Sequence, residues 1–326
     1  MKAPGAPRIA TIAVPTPFPI GAVNVHLVLG DPVTLVDTGP RTADAWEALV
    51  EGLAANGLLP SNVKRVLMTH GHQDHFGLAE RLAEYGAVLY GSAADGHHFR
   101  MERRTRTLLD QLSRSGFGFI ERAAMILSVT WVDHFSDPLL EYEPLTGGET
   151  LGGDGWSVKV SAAPGHTPGS LVFEIPEAAV AFTGDTVLAH VTPNAIVDED
   201  PDRPGETYRS LSHYFQTLES LGRREGERES RSATRMKTGH GEDVPDFAVH
   251  RERLAGRYRR RANHIAGDLA GDPKSVRELV RSIFPGLSQV NLYLAFSEIL
   301  GFLMYLEDTG RVKRLPGRLL DRWKLA

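Results

Sequence analysis

The stretch MTHGHQDHFG, residues 68–77, places His70, His72, Asp74 and His75 within six positions, directly after an apolar run that predicts a buried strand. In a turn, His70 and His72 can point at one ion, whereas Asp74 and His75 are adjacent and would aim elsewhere. One zinc ion takes about four ligands, or three and a water in a catalytic site. Four donors in so short a stretch therefore fit two ions better than one, and further donors must come from distant segments.

Three later turns supply such donors, and each contains glycine. His166 lies in APGHTPGS, Asp185 in AFTGDTVL and His240 in KTGHGED, each after a predicted strand. Glycine allows the backbone to approach closely, and loops after strands are where a rigid scaffold usually presents chemistry. The chain has 0 cysteines, which excludes thiolate-ligated zinc, so any metal must be held by imidazole and carboxylate.

Short apolar runs alternate with amphipathic segments along the first part of the chain. The runs RIATIAV, NVHLVLG and VTLVDTG predict consecutive strands, and residues 41–57 predict a helix with Thr42 as its N-cap and Gly57 as its C-cap. Strands and helices that alternate in this way indicate an α/β fold with covered sheets. His26, which lies within an apolar strand, is expected to be a core residue.

The motifs resemble those of the metallo-β-lactamase superfamily. THGHQDH at 69–75 looks like its His-x-His-x-Asp-His signature, and DTG at 37–39, PGHTPGS at 164–170, TGD at 183–185 and GHG at 239–241 follow in the family's order. The resemblance covers about residues 8–245. It implies an αββα sandwich with a two-metal centre between the sheet edges.

By this resemblance each candidate residue has an expected role. The first metal would be held by His70, His72 and His166, and the second by Asp74, His75 and His240. Asp185 would bridge both ions, and Asp37 would support the ligands from just outside them. The candidate catalytic residues are Asp74, Asp185 and Asp37. Nitrogen and carboxylate donors suit zinc, iron or manganese, and zinc is the expected ion.

Two cations that share one water lower its pKa toward neutrality, and the resulting hydroxide is a nucleophile. We therefore expect a metal-dependent hydrolase in which a bridging hydroxide attacks an ester or thioester. In the family, an aspartate like Asp185 marks the glyoxalase II-like hydrolases, whereas antibiotic-degrading branches generally lack it. The main alternative is a phosphodiesterase or endoribonuclease that uses the same centre. A two-iron redox protein and a regulatory DNA-binding protein with a structural metal core are weaker alternatives.

A helical insert is expected at about residues 96–145, where substrate-covering helices enter in the resembling family. Its apolar residues either line a pocket for an acyl chain or seat the helices on the core, and the sequence leaves both open. These residues are Phe117, Phe119, Met125, Ile126 and Trp131.

The charge changes sign along the chain. Residues 246–326 hold 15 Lys+Arg and 9 Asp+Glu, a net charge of +6, whereas residues 1–245 hold 21 and 32, a net charge of −11. We therefore predict a catalytic domain over 1–245 and a second domain over 246–326, which is helical and resembles a winged-helix module. Its basic helix, with Arg257, Arg259, Arg260 and Arg261, could bind RNA, but docking on the acidic domain is the simpler interpretation.

The remaining expectations concern partners and location. The substrate is expected to be a small molecule that carries an acyl chain, and a homodimer is compatible with the sequence. No apolar run approaches the roughly 18 residues that a membrane helix needs. The proline-rich start lacks the apolar stretch of a signal peptide, so a cytoplasmic location is predicted. The mixed-charge stretch from Arg223 to Arg235 predicts a solvated loop.

Overall fold

Two β-sheets form the centre of the molecule in a computed structural model, which describes residues 5–102, 105–226, 234–288 and 291–326. The first sheet has six strands in the order β1 to β6, with β1–β3 antiparallel and β3–β6 parallel. Its strands are β1 Arg8–Val14, β2 Val23–Leu29, β3 Thr34–Val36, β4 Arg65–Leu67, β5 Val88–Ser92 and β6 Glu143–Leu145.

The second sheet has five strands in the order β11-β10-β9-β8-β7. Neighbouring strands are antiparallel except for β10 and β11, which are parallel. Its strands are β7 Thr150–Gly153, β8 Trp156–Ala162, β9 Leu171–Ile175, β10 Val180–Gly184 and β11 Arg235–Thr238. The facing sides of the two sheets pack through one apolar cluster, to which Val36 and Leu67 of the first sheet and Phe173 and Phe182 of the second contribute.

Helices cover the outer faces of both sheets. The described residues contain α1 Ala43–Ala54, α2 Gln73–Phe76, α3 Ala79–Glu84, α4 Gly96–Phe99, α5 Thr105–Arg114, α6 Phe119–Val132, α7 Ser210–Gly226, α8 Phe247–Asp268, α9 Val276–Ile283 and α10 Leu292–Asp308. The layers therefore run helix, sheet, sheet, helix, and the predicted αββα sandwich is confirmed. Among the helices of the described ranges, none is long and apolar enough to cross a bilayer.

Helix α1 shows how local sequence sets these elements. The Thr42 side chain accepts a hydrogen bond from the backbone N–H of Ala45 at 3.1 Å, which caps the first turn. Leu49 and Leu53 lie one turn apart on the buried face. The chain then turns at Gly57, whose φ of +76° favours glycine. The N-cap that the sequence predicts is thus observed, whereas the predicted C-cap is wrong by two positions, because α1 ends at Ala54 and Ala55 is its C-cap.

The C-terminal region packs into the same apolar core as the helices that cover the second sheet. Phe296 and Leu303 of α10 are fully buried, and the ring of Phe296 lies edge-on to Phe117 of the insert with centroids 5.7 Å apart. Met125 of α6 belongs to the same cluster. The region ends in an antiparallel pair, β12 Val312–Leu315 and β13 Arg322–Leu325. The helical character that the sequence predicts is present, while the winged-helix resemblance and the boundary at residue 246 stay predictions.

Ion pairs join the C-terminal region to the rest of the chain. Arg277 of α9 lies 2.8 Å from Glu121 of α6, and Arg209 lies 3.0 Å from Glu307 of α10. The loop predicted from Arg223 to Arg235 is wrong at both ends, because α7 continues to Gly226 and β11 begins at Arg235. Residues 227–233 lie outside the described residues.

Because one core contains both regions, truncating its centre should destabilise the whole chain. Phe296→Ala is expected to lower the free energy of unfolding by about 3–5 kcal/mol, whereas Leu319→Ala, at a side chain that is 82% exposed, should change it by less than about 0.5 kcal/mol. Denaturant unfolding followed by circular dichroism measures both. Two separated transitions in the wild type would show that the regions do not share a cooperative core.

Candidate metal centre

The predicted donors meet at one edge of the sandwich because of strand direction. β3, β4 and β5 run parallel, so the chain leaves all three at the same edge, and the His70 segment follows β4. In the second sheet β10 and β11 are parallel, and Asp185 and His240 follow their ends. His166 lies in the turn between β8 and β9. All seven candidate ligands are thereby brought together.

Three imidazoles form the first group. Nδ1 of His72 lies 3.0 Å from Nε2 of His70 and 3.1 Å from Nε2 of His166. Burial, followed by neighbouring imidazoles, lowers the pKa of His70 and of His72 well below the usual value, and burial lowers the pKa of His166. Neutral rings whose nitrogens converge in this way offer lone pairs to one cation.

Asp74, His75 and His240 form the second group. Nε2 of His240 lies 3.3 Å from Oδ2 of Asp74, and Nε2 of His75 lies 3.9 Å from Oδ1 of the same carboxylate. The Nε2 atoms of both histidines are buried and have no hydrogen-bond partner. Buried polar atoms are nearly always paired, so these two nitrogens point to a ligand of their own.

Asp185 lies between the two groups. Its Oδ1 is 3.5 Å from Nε2 of His75 and is buried without a hydrogen-bond partner, while its Oδ2 is 3.7 Å from Nε2 of His166. One oxygen therefore faces each group. This placement fits the bridging role that the sequence resemblance implies.

Carboxylates give the centre a negative electrostatic potential. Burial opposes protonation of His75, but the carboxylates of Asp37, Asp74 and Asp185 outweigh it and raise the pKa of His75 to about 10. Three carboxylates in a buried site favour a positive charge, which divalent ions would supply. The donor set, its unpartnered atoms and its charge all fit a pair of such ions.

The ring nitrogens that face away from the centre are held by the protein. Nδ1 of His75 lies 2.8 Å from Oδ2 of Asp37, Nδ1 of His240 lies 2.9 Å from the carbonyl oxygen of Ala22, and Nδ1 of His166 lies 3.3 Å from that of Asn194. Such partners fix the tautomer and orientation of metal-binding histidines.

Asp37 is held in turn by its neighbours. Its carboxylate accepts hydrogen bonds from the backbone N–H of Thr69 at 2.8 Å and from the Thr69 hydroxyl at 2.9 Å. Its φ is +62°, a conformation that aspartate tolerates better than most residues. Asp37 therefore lies beside the candidate ligand His75, and its supporting role stays a prediction.

Gly239, the first residue of the GHG motif, is required by close packing against the centre. A Cβ at this position would lie 2.5 Å from Oδ1 of Asp185 and 2.8 Å from Cε1 of His75, closer than van der Waals contact allows. The close packing of the motif against the centre therefore requires a residue without a side chain.

Asp95 is a buried residue that the sequence interpretation missed. Its carboxylate accepts hydrogen bonds from the backbone N–H of Gly71 at 2.8 Å, from that of Gly169 at 2.7 Å and from the Thr167 hydroxyl at 2.7 Å. Gly71 separates His70 from His72, and Thr167 follows His166. Asp95 thus joins the two segments that carry the whole first group.

His97 and His98 of α4 converge on Asp198. Their Nε2 atoms lie 3.2 Å and 2.7 Å from the two carboxylate oxygens, and the three residues have donors close enough to hold an ion. Nδ1 of His97 is buried without a partner, however. Histidines that bind metals usually donate from their second nitrogen, so this triad fits a hydrogen-bonded clamp better than a metal site.

Asn24 and His26 of β2 hold the segment that carries His240. The Asn24 side-chain amide donates to the carbonyl oxygens of Thr238 at 3.1 Å and Gly241 at 2.9 Å, and Nε2 of His26 lies 3.1 Å from that of Thr238. His26 is buried, as the sequence predicts. Its role in joining the two sheets could not be read from an apolar strand.

The chain belongs to the metallo-beta-lactamase superfamily, since the sequence profile of that family matches residues 19–225. It is 29% identical over 311 residues to the probable metallo-hydrolase YqjP of Bacillus subtilis, covering 92% of each chain. It is 33% identical over 130 residues to hydroxyacylglutathione hydrolase GloC of Haemophilus influenzae, covering 40% of this chain and 52% of that one.

Among solved structures, the metallo-beta-lactamase family protein TTHA1429 of Thermus thermophilus has a TM-score of 0.79 at 27% identity, with 98% of each chain covered. That alignment includes the C-terminal region, so this arrangement of the whole chain recurs. Together these likenesses identify the protein as a metallo-hydrolase of this superfamily.

Asp95→Asn should loosen the first group. An amide presents only one acceptor oxygen, so at least one of the three donors would lose its partner. We expect affinity for zinc to fall about 10–100-fold, measured by competition with a chromogenic chelator. Asp154→Asn, at an exposed position, is the matched control. Equal affinities in the two variants would show that Asp95 does not order these segments.

His26 should make the fold sensitive to acid. Burial lowers its pKa to about 4, and the hydrogen bond to Thr238 only partly offsets this. The unfolded chain therefore binds this proton more readily between pH 6.5 and about 4, and stability falls as pH drops through that range.

His26→Gln should accordingly reduce the stability lost between pH 7 and pH 5 by about 2 kcal/mol relative to wild type. Urea unfolding of both proteins at the two pH values measures the difference. If both proteins lose the same stability, the pKa of His26 is not lowered.

Proposed function

We propose that this protein hydrolyses a small ester or thioester at a centre of two divalent metal ions. The observation that carries the proposal is the placement of Asp185, with one oxygen toward each donor group. In the resembling family such an aspartate marks the glyoxalase II-like hydrolases. The chain is partly similar to hydroxyacylglutathione hydrolases, and an acylglutathione is a thioester, so this likeness supports the same chemistry.

The chain's own residues define the centre. His70, His72 and His166 would hold one ion, and Asp74, His75 and His240 the other, with Asp185 shared. When bound, the ions supply a hydroxide nucleophile at neutral pH and polarise the carbonyl oxygen of the substrate. Zinc is the proposed ion, although nitrogen and carboxylate donors also admit iron and manganese.

The protein contributes orientation. Asp37, held by Thr69, fixes the ring of His75, and the carbonyl oxygens of Ala22 and Asn194 fix the rings of His240 and His166. The donors are therefore in place before substrate binds, which reduces the reorganisation that the reaction requires.

The basic stretch of the C-terminal region does not present its aromatic residue to a nucleic acid. Tyr258, the aromatic residue within the basic stretch, is buried, and its hydroxyl donates to the carbonyl oxygen of Pro193 at 2.8 Å. It cannot stack on a base in that position. Arg261 is paired with Glu298 at 2.8 Å.

A substrate panel tests the proposal. Zinc-loaded protein should hydrolyse p-nitrophenyl acetate and acetyl thioesters but not bis(p-nitrophenyl) phosphate. His72→Ala should lower kcat/KM by at least about 100-fold, because even the partners of metal ligands are worth 10–100-fold. His264→Ala, an exposed histidine on α8, is the control and should keep full activity. Cleavage of the phosphodiester alone, or full activity in His72→Ala, would overturn the proposal.

A further inference from the structure

Three aromatic side chains form a cluster at the surface, in which Trp131 is exposed while Phe18 and Phe135 are partly buried. Phe18 belongs to the β1–β2 loop, Trp131 to the last turn of α6, and Phe135 to the 3-10 turn Asp133–Phe135. Their ring centroids lie 6.0 Å apart for Phe18 and Trp131, 5.3 Å for Phe18 and Phe135, and 4.7 Å for Trp131 and Phe135. Trp131 is 47% exposed. We call these three residues the aromatic cluster.

Strand direction places the aromatic cluster at the edge that carries the metal centre. β2 runs antiparallel to β3, so the chain enters β2 at the edge where β3 and β4 end. The β1–β2 loop, residues 15–22, therefore lies at that edge. The carbonyl oxygen of Ala22, the last residue of this loop, lies 2.9 Å from Nδ1 of His240.

The other half of the cluster contacts the segment of the histidine motif. The Gln73 amide lies 3.4 Å from Oδ1 of Asp133, two residues before Phe135. A Cβ at Gly77, two residues after His75, would lie 2.2 Å from the carbonyl oxygen of Phe135. Both chain segments of the cluster are thus fixed directly to segments that carry candidate ligands.

The surroundings offer apolar contact more than charge. Arg41 donates its backbone N–H to the carbonyl oxygen of Phe135 at 2.7 Å, and its guanidinium lies 3.3 Å from Asp137. That ion pair offsets the charge of the Arg41 guanidinium. Exposed aromatic surface next to a site usually marks a place where an apolar group binds.

Leu127, which is 69% exposed, lies one turn before Trp131 on the same face of α6, whereas the exposed residues at the start of that helix lie far from the cluster. Phe119 is 78% exposed but lies 12 residues before Trp131, which corresponds to about 18 Å along a helix. Phe117 and Met125 are buried in the core with the C-terminal helices. Of the five insert residues that the sequence singles out, only Trp131 lies in the cluster.

We propose that the aromatic cluster binds the apolar acyl group of the substrate, so that the protein prefers medium-length acyl groups over acetyl. This inference rests on the proposed hydrolysis of an ester or thioester. Burial of a few methylene groups against three rings is worth about 10–100-fold in affinity. The acyl carbonyl would lie at the metal centre and the chain would run along the cluster.

Hydrolysis of p-nitrophenyl hexanoate and acetate tests the preference. Wild type should show a hexanoate-to-acetate ratio of kcat/KM that is about 10–100-fold higher than that of Trp131→Ala. Phe119→Ala removes an exposed ring from the other end of the same helix and should keep the wild-type ratio. Phe18→Ala, in a loop rather than a helix, serves as the second variant should Trp131→Ala fail to fold.

A binding measurement separates this inference from the proposed reaction. Hexanohydroxamate and acetohydroxamate share a metal-chelating head, and their affinities for the zinc-loaded protein can be measured calorimetrically without turnover. The longer compound should bind about 10-fold more tightly to wild type and equally tightly to Trp131→Ala. That result would support the cluster even if no ester were cleaved. Equal binding of both compounds by wild type, or a preference that survives in Trp131→Ala and Phe18→Ala, would overturn the inference.

Discussion

The buried carboxylate of Asp185 faces imidazole nitrogens on both sides, and this arrangement is costly without a compensating charge. Burying an ionised group in a protein is unfavourable unless it is paired or binds a metal. Asp74 and Asp37 add two further carboxylates, which together hold His75 in its protonated form when no cation is present. The proposed pair of divalent ions would satisfy the same carboxylates and also the unpartnered nitrogens of His75 and His240. The centre is therefore best understood as a cation site around which the two sheets are arranged.

The rest of the molecule keeps these donors in place. Asp95 joins the segments of His70 and His166 through hydrogen bonds. Asn24 and His26 join the first sheet to the segment of His240. The carboxylate of Asp198 pairs with the imidazoles of His97 and His98. These contacts link residues far apart in sequence. Contacts from both sheets therefore fix the positions of the candidate ligands.

Much of this could be predicted from the sequence because the signals are local. The crowding of His70, His72, Asp74 and His75 after a strand marks the site, and glycine-flanked turns mark its distant members. Thr42 is a recognisable N-cap for the same reason, since a cap depends on residues three positions apart.

What the sequence could not provide depends on tertiary contacts. Asp95 and Asp198 are ordinary acidic residues until the fold shows which backbone groups and imidazoles they meet. Phe18 and Phe135 are separated by more than a hundred positions, and no periodicity relates them. The same holds for Phe117, which could as well have lined a pocket as packed against Phe296.

The number of metal ions that the folded chain binds is the most direct test of this account. Purified protein that has been stripped with a chelator, reloaded with excess zinc and freed of unbound metal should contain two ions per chain by elemental analysis. A chain that holds one ion or none under these conditions, while its circular dichroism shows an intact fold, would contradict the account. The convergence of all seven donors would then not reflect a centre of two metal ions.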